Sequence, residues 1–327
     1  EEYLRSEEDY TLFCKKLEVT IARAEQDSMY RNVQIQQMEE SLKNMKLNMQ
    51  RIRKRKDNLD VKAPIDGVLG LIEVGLGESV GSGKKIGQIK PKKSIDIKKS
   101  RIGLGFEKLD RDIFDPEKSY PFVADSGIKW ARLQSGWQRT EREKGVYDFS
   151  WLDKIVDKMI SIGVEPWLCL CYGNDLYTPA AKTVFGAVGC PPINTAEERE
   201  AWTSYVKATV THFKGRIHYY EVWNEPDGQW CWKHGPSADE LADFTVATAK
   251  ACKTADPECE VIGFVTCRAQ SEFHKILCEK GVCDHIDAIS YHAYAYKNHC
   301  FRDSAFTSVY NIFDNIRKQY NPKLKII

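Results

Sequence analysis

Tyr219-Tyr220-Glu221-Val222-Trp223-Asn224-Glu225-Pro226 is the stretch that decides the fold. The apolar run from Ile217 to Trp223 leads straight into Asn-Glu-Pro, which reads as a buried strand whose last residues emerge at a sheet edge. Pro226 has no N–H to give to a neighbouring strand and ends the ladder. Glu225 is thereby held at the mouth of a strand, beside an amide and among Trp223, Trp230 and Trp232. A carboxyl in an aromatic pocket loses hydration, so its proton affinity rises and it can serve as a general acid near neutrality. The plainer reading of the same residues is an ordinary strand end with a capped acid.

Outward from that strand, the chain from Arg101 alternates strands and helices. The predicted strands are 102–106, 128–133, 165–171, 217–223, 260–265, 286–291 and 324–327. The predicted helices lie near 121–126, 151–162, 196–213, 238–254, 270–279 and 306–319. Six βα units followed by the start of a seventh strand predict an α/β fold, a truncated (β/α)8 TIM barrel over residues 101–327. A doubly wound sheet is the competing topology, and the lack of a GxGxxG after the first strand counts against a dinucleotide-binding version of it.

Upstream the pattern differs. Residues 6–58 contain neither Pro nor Gly, and Ile35, Met38, Leu42, Met45, Met49 and Ile52 follow a 3-4-3-4-3 spacing. That is a heptad seam, so residues 1–58 are expected to form one long coiled-coil-type helix that needs a partner helix, from a second copy or another protein. The basic run Arg51–Lys56 suits the helix C-terminus, where the dipole favours cations; a nucleic-acid or membrane contact is the alternative. Gly75, Gly77, Gly81, Gly83 and Gly87, set between short apolar segments, predict a small β unit over 59–95. The Lys-rich stretch 90–99 reads as a boundary, with the linker at 96–100.

With 327 residues the chain suits roughly two domains, and 42% apolar with 29% charged residues is an ordinary globular composition. A net charge of +1 gives no argument for nucleic acid as a partner. No run of about 18 apolar residues and no signal peptide is visible. The first residue is Glu1, not Met, so the true N-terminus is expected to lie elsewhere. The eleven cysteines include no paired CxxC units, so a zinc site is not expected and free thiols in a reducing, cytoplasmic-type compartment are the reading.

Two resemblances stand on these residues. "VKAPIDGVLG" with "VGLGESVGSGKKIGQI", following the heptad helix, resembles membrane-fusion (periplasmic adaptor) proteins of secretion and efflux systems over residues 10–95. It implies half of a biotinyl/lipoyl-like sandwich, a secretion-system protein as a possible helix partner and a membrane-associated parent. No modified-lysine motif is seen, so no prosthetic group or other cofactor is expected.

"GIKWARLQSGWQRTEREKGVYDFSWLD", "YYEVWNEPDG" and "ISYHAYAY", in that order, resemble clan-A glycoside hydrolases of the family-39 and family-5 types. The resemblance implies a retaining glycosidase acting on a carbohydrate. Glu225 matches its acid/base, Asn224 the amide that binds the sugar 2-hydroxyl, and Arg132 the strand-two arginine that orients the nucleophile. His292 and Tyr294 match pocket residues on strand six. Trp137, Trp230 and Trp232 are candidate sugar-contacting rings, and Asp175 and Tyr177, after strand three, are weaker candidates for subsite contacts; His299 and Cys300 carry no signal. Structural alternatives stand beside these: Arg132 as an interior ion-pair partner of Glu221, His292 as a core histidine, Trp137 as a barrel cap. The resemblance implies a glutamate nucleophile ending strand seven, and the sequence stops at Ile327 inside that strand. The expectation is therefore a crippled hydrolase, with an adaptor fragment or a non-catalytic carbohydrate-binding barrel as alternatives.

Overall fold

The computed structural model describes residues 2–57, 67–81, 83–183, 187–268, 271–293 and 303–327. Two compact units are distinguished, Glu1–Pro64 and Ile65–Ile327. In the first, α1 spans Glu2–Asp57 as one continuous helix of 56 residues. Nothing in that stretch interrupts a helical ladder. Its apolar seam is open: Ile35 is 51% exposed, Leu42 49% and Ile52 65%. No described helix is long and apolar enough to cross a membrane.

The second unit begins with β1 (Gly67–Ile72) and β2 (Gly87–Pro91), an antiparallel pair with an irregularity between Leu69 and Ile72. Gly67 is needed at the closest approach, because a Cβ there would lie 2.4 Å from the Lys90 carbonyl oxygen. The half-sandwich expected over 59–95 is described as these two strands alone; residues 59–66 lie outside the described residues. The boundary stretch is less free than its lysines suggest. Ser94 is buried and its hydroxyl donates to the Val123 carbonyl at 2.9 Å. The backbone of Ile95 crosses Gly163 so closely that a Cβ there would meet its Cα at 2.2 Å.

Seven parallel strands follow in strict sequence order: β3 (Gly103–Gly105), β4 (Trp130–Gln134), β5 (Glu165–Leu170), β6 (Tyr219–Val222), β7 (Glu260–Thr266), β8 (Ala288–Tyr291) and β9 (Lys325–Ile326). Between them run α2 (Tyr120–Asp125), α3 (Trp137–Thr140), α4 (Ser150–Ser161), α5 (Ala196–Phe213), α6 (Ala238–Ala255), α7 (Ser271–Glu279) and α8 (Asp303–Tyr320). This is an α/β fold with a curled parallel half-barrel of seven strands, and β3 and β9 are its edges among the described residues. All seven predicted strands and six predicted helices are present; α3 is an added turn, and the boundaries shift by up to three residues.

The helices are built as their sequences ask. α5 starts with a reciprocal capping box between Thr195 and Glu198, which satisfies two otherwise orphaned donors. Its Trp202, Tyr205, Val206, Val210 and Phe213, spaced for one helical face, are all buried. Ser237 caps α6 by accepting from the Glu240 N–H. Inside the curl, side chains stack in layers, as in closed barrels. Trp130, Trp167 and Tyr219 form an aromatic layer towards the strand N-termini, with edge-on contacts at 6.5 and 5.4 Å. The next inward residues, Arg132 and Glu221, form an ion pair between β4 and β6. Position Gln134 on β4 then reaches the C-terminal mouth.

Candidate active site at the C-terminal strand ends

The chain turns sharply after β6. Trp223 and Glu225 both have left-handed backbones, with φ of 62° and 45°. Phe264 and Val265 on β7 do the same at 67° and 51°, where the β7–β8 register shifts. Each such non-glycine residue costs on the order of 1–3 kcal/mol and persists only where its surroundings enforce it. Here the two deviations meet, because the Glu225 N–H donates to the Val265 carbonyl at 3.0 Å. The turn aims Glu225 across the mouth.

Both carboxylate oxygens of Glu225 have partners: Oε1 lies 2.9 Å from His292 Nδ1, and Oε2 accepts from Trp230 Nε1 at 2.7 Å. His292 is fixed in turn by its backbone N–H, which donates to the Thr266 carbonyl at 2.8 Å. Asn224 Oδ1 accepts from Arg132 Nη2 at 3.0 Å, and Asn224 Nδ2 faces Cys231 Sγ at 3.4 Å. Arg132 is also bound to Glu107 Oε1 at 2.6 Å and to Glu221. Burial opposes the charge of Arg132, but Cys169 and the Glu221 and Glu107 carboxylates outweigh it and hold the guanidinium protonated.

Glu225, Asn224, Arg132, His292 and Trp230 are therefore brought together at one end of the sheet. Arg132 also makes the interior ion pair with Glu221 that strand parity suggests, so the two readings of this residue coexist. Three expectations need correction. Trp232 is buried, with Nε1 on Glu240 Oε2 at 3.0 Å and its ring edge-on to Trp223 and Phe244. Its loop turns it into the helical layer, so its faces are closed to a sugar. Trp137 is likewise buried, stacked on Tyr177 and Tyr205, with Nε1 on Glu141 Oε2 at 2.5 Å. It caps the barrel wall. Trp223 also packs inward, so Glu225 meets one indole where an aromatic pocket was expected.

Of the weaker candidates, Asp175 accepts from Gln138 Nε2 at 3.1 Å and Tyr177 donates to Glu141 Oε1 at 2.6 Å, so both support the wall. Burial and that contact with Glu141 push the Tyr177 phenol upward. Tyr294, His299 and Cys300 lie outside the described residues.

Sequence reasoning missed Glu107, Gln134, Tyr172 and Arg268. Glu107 follows β3 by two residues, where a carboxylate at a strand end was the available signal. Gln134 shares parity with Arg132 and holds Arg111 Nη2 at 2.8 Å and the Tyr172 hydroxyl at 3.0 Å. Arg268 packs over the Trp230 ring, 5.2 Å from its centroid. Among the described residues, no group of three His, Cys, Asp or Glu side chains is placed to hold a metal ion.

The model of glycosyl hydrolases family 39 matches residues 128–324. A β-xylosidase of Geobacillus stearothermophilus is 28% identical over 165 residues, which is 47% of this chain and 32% of that protein. One from Caldicellulosiruptor saccharolyticus is 26% identical over 208 residues, 59% of this chain and 40% of that protein. A family-39 β-xylosidase structure from Caulobacter crescentus shares the fold, with a TM-score of 0.53 at 20% identity over 65% of this chain and 50% of that one. A family-39 structure from the gut symbiont Bacteroides cellulosilyticus WH2 gives a TM-score of 0.54 at 17% identity, over 72% and 48%. The chain thus spans well under half of the curated relatives it matches and about half of these solved chains.

Proposed function

The chain belongs to glycosyl hydrolases family 39, and from that membership we propose that its half-barrel carries the acid/base side of a retaining, β-xylosidase-like active site. The observation that supports this most directly is Glu225 at the strand mouth, with one oxygen on His292 and the other on a half-exposed indole. Glu225 protonates the glycosidic oxygen as the bond to the anomeric carbon breaks, then draws a proton from the incoming water. Asn224 gives up its oxygen to Arg132 and one amide N–H to Cys231 Sγ, which leaves the second N–H as the donor for a sugar hydroxyl. Arg132 fixes that amide and, with Glu107, keeps a charged pair at the mouth.

A retaining reaction also takes a carboxylate about 5–5.5 Å from the acid, on the far side of the anomeric carbon. The family resemblance puts it at the end of the strand that β9 begins, and turnover takes both groups. The similarity of relatives that hydrolyse xylosides makes a β-xyloside the substrate to try first. For residues 1–58 we keep a partner-helix role, supported by the open apolar seam of α1. The adaptor parentage and the lipoyl-like unit remain a proposal from sequence.

The test is a series of aryl β-xylosides of rising leaving-group pKa, given to the full-length polypeptide and its Glu225→Gln variant. A lost general acid costs roughly 100- to 10,000-fold with poor leaving groups and little with the best ones. An equal loss across the series, or none, overturns the assignment. Xylose binding that survives Glu225→Gln without any turnover in either protein identifies a binding barrel instead.

A further inference from the structure

Trp230 stands apart from the other tryptophans of the mouth. It is 46% exposed, whereas Trp137, Trp223 and Trp232 are buried. Its indole N–H points at Glu225 Oε2 from only five residues along, across Gly228, where a Cβ would come within 2.4 Å of the ring. The Arg268 guanidinium lies over the ring, 5.2 Å from its centroid. Arg268 is itself pinned, since its backbone N–H donates to Asp227 Oδ2 at 2.6 Å, together with the Cys267 N–H. The close glycine, the arginine over the ring and the carboxylate on its N–H together hold an exposed ring in one pose.

That pose conflicts with acid catalysis. A general acid must offer an oxygen to the leaving group, yet His292 and Trp230 occupy one oxygen each. The His292 side is tied to β7 through its backbone, while the Trp230 side is a surface loop residue. We propose that Trp230 is a positioning residue for Glu225: its indole N–H stands where the leaving-group oxygen will sit, and a bound glycoside displaces it. This deepens the general-acid reading and rests on it. An N–H donor favours the carboxylate over the protonated acid, so the Trp230 contact biases Glu225 towards its ionised form. Displacing the indole removes that donor, and Glu225 takes a proton from solvent as the substrate arrives. Among the described residues, the charged or titratable groups near Glu225 besides Trp230 and His292 include Arg132 through Asn224, Arg268 through Trp230, and the Cys231 thiol. All of these stay in place in a Trp230→Phe variant.

The Glu225 carboxyl carbon is followed by NMR in glutamate-labelled chain and assigned with Glu225→Gln; no turnover is needed. Trp230→Phe keeps an aromatic ring and removes the donor, and is expected to move the titration midpoint up by about one pH unit. In the wild-type protein the Trp230 indole N–H resonance is expected to follow the same midpoint. An unmoved midpoint, or an indole signal indifferent to Glu225 protonation, overturns the proposal. A moved midpoint alongside xyloside hydrolysis unaffected by Glu225→Gln would refute the general-acid assignment and leave the contact between Trp230 and Glu225 standing.

Discussion

Arg132 Nη2 donates to Asn224 Oδ1 at 3.0 Å and so ties the middle of β4 to the residue before Glu225. The same guanidinium neutralises Glu221, which is 2% exposed on β6. One arginine therefore serves both the stability of the curl and the aim of the site. Arg132→Met leaves a buried carboxylate unpaired, and the expected loss is about 3–5 kcal/mol in urea unfolding. The coupling between Arg132 and Glu221 is checked by the double variant Arg132→Met with Glu221→Leu, which recovers stability because the pair is removed whole. A double variant no more stable than Arg132→Met would sink this account.

The seam of α1 gives a second expectation. Ile35, Met38, Leu42, Met45, Met49 and Ile52 keep half or more of their surface open, or nearly so. An isolated helix of that length with an open stripe gains most of its stability from a partner. Concentration-dependent association by analytical ultracentrifugation is expected, and Leu42→Asp with Met49→Asp should abolish it. Monomer at every concentration, with unchanged helix content in the double variant, would count against a self-paired seam.

The strands were legible because a parallel strand buried on both faces is a near-continuous apolar run, as in residues 166–171 and in residues 217–223, which only His218 and Glu221 interrupt. The gathering of Asn224, Glu225 and His292 followed from their places just past strand ends, and that of Arg132 from its inward position in the middle of β4. Side-chain direction beyond a strand end was not legible. Period-two counting stops at Val222, and the left-handed backbones of Trp223 and Glu225 reset where each side chain points. Hence Trp232 was expected at the surface and lies in the core. Glu107 escaped because its partner is 25 residues away on a neighbouring strand, a relation no local window contains.

Trp137 separates a wall role from a binding role. It touches Tyr177, Trp202 and Tyr205 and is closed to solvent. Trp137→Ala is expected to cost about 3–5 kcal/mol by thermal or urea unfolding. Trp137→Phe, milder in volume, should keep whatever xylose affinity the wild-type chain has. Full stability with lost sugar affinity would return Trp137 to the binding site.

Asp227 gives the pH expectation. It is 2% exposed and accepts backbone N–H bonds from Cys267 and Arg268. Burial raises its carboxyl above the ordinary value of 3.8, and those hydrogen bonds only partly offset the rise. The folded state therefore binds this proton more tightly than the unfolded chain. Its linkage contribution is fully present below pH 3.8 and is lost as the pH climbs through the raised folded value. Comparing unfolding free energies of wild type and Asp227→Asn cancels the other carboxylates. The wild-type advantage is expected to shrink as pH rises upward from that ordinary value and to level off above the raised one. An advantage that instead grows across this window would mean that the two N–H donors outweigh burial and that Asp227 is held as a stabilised carboxylate.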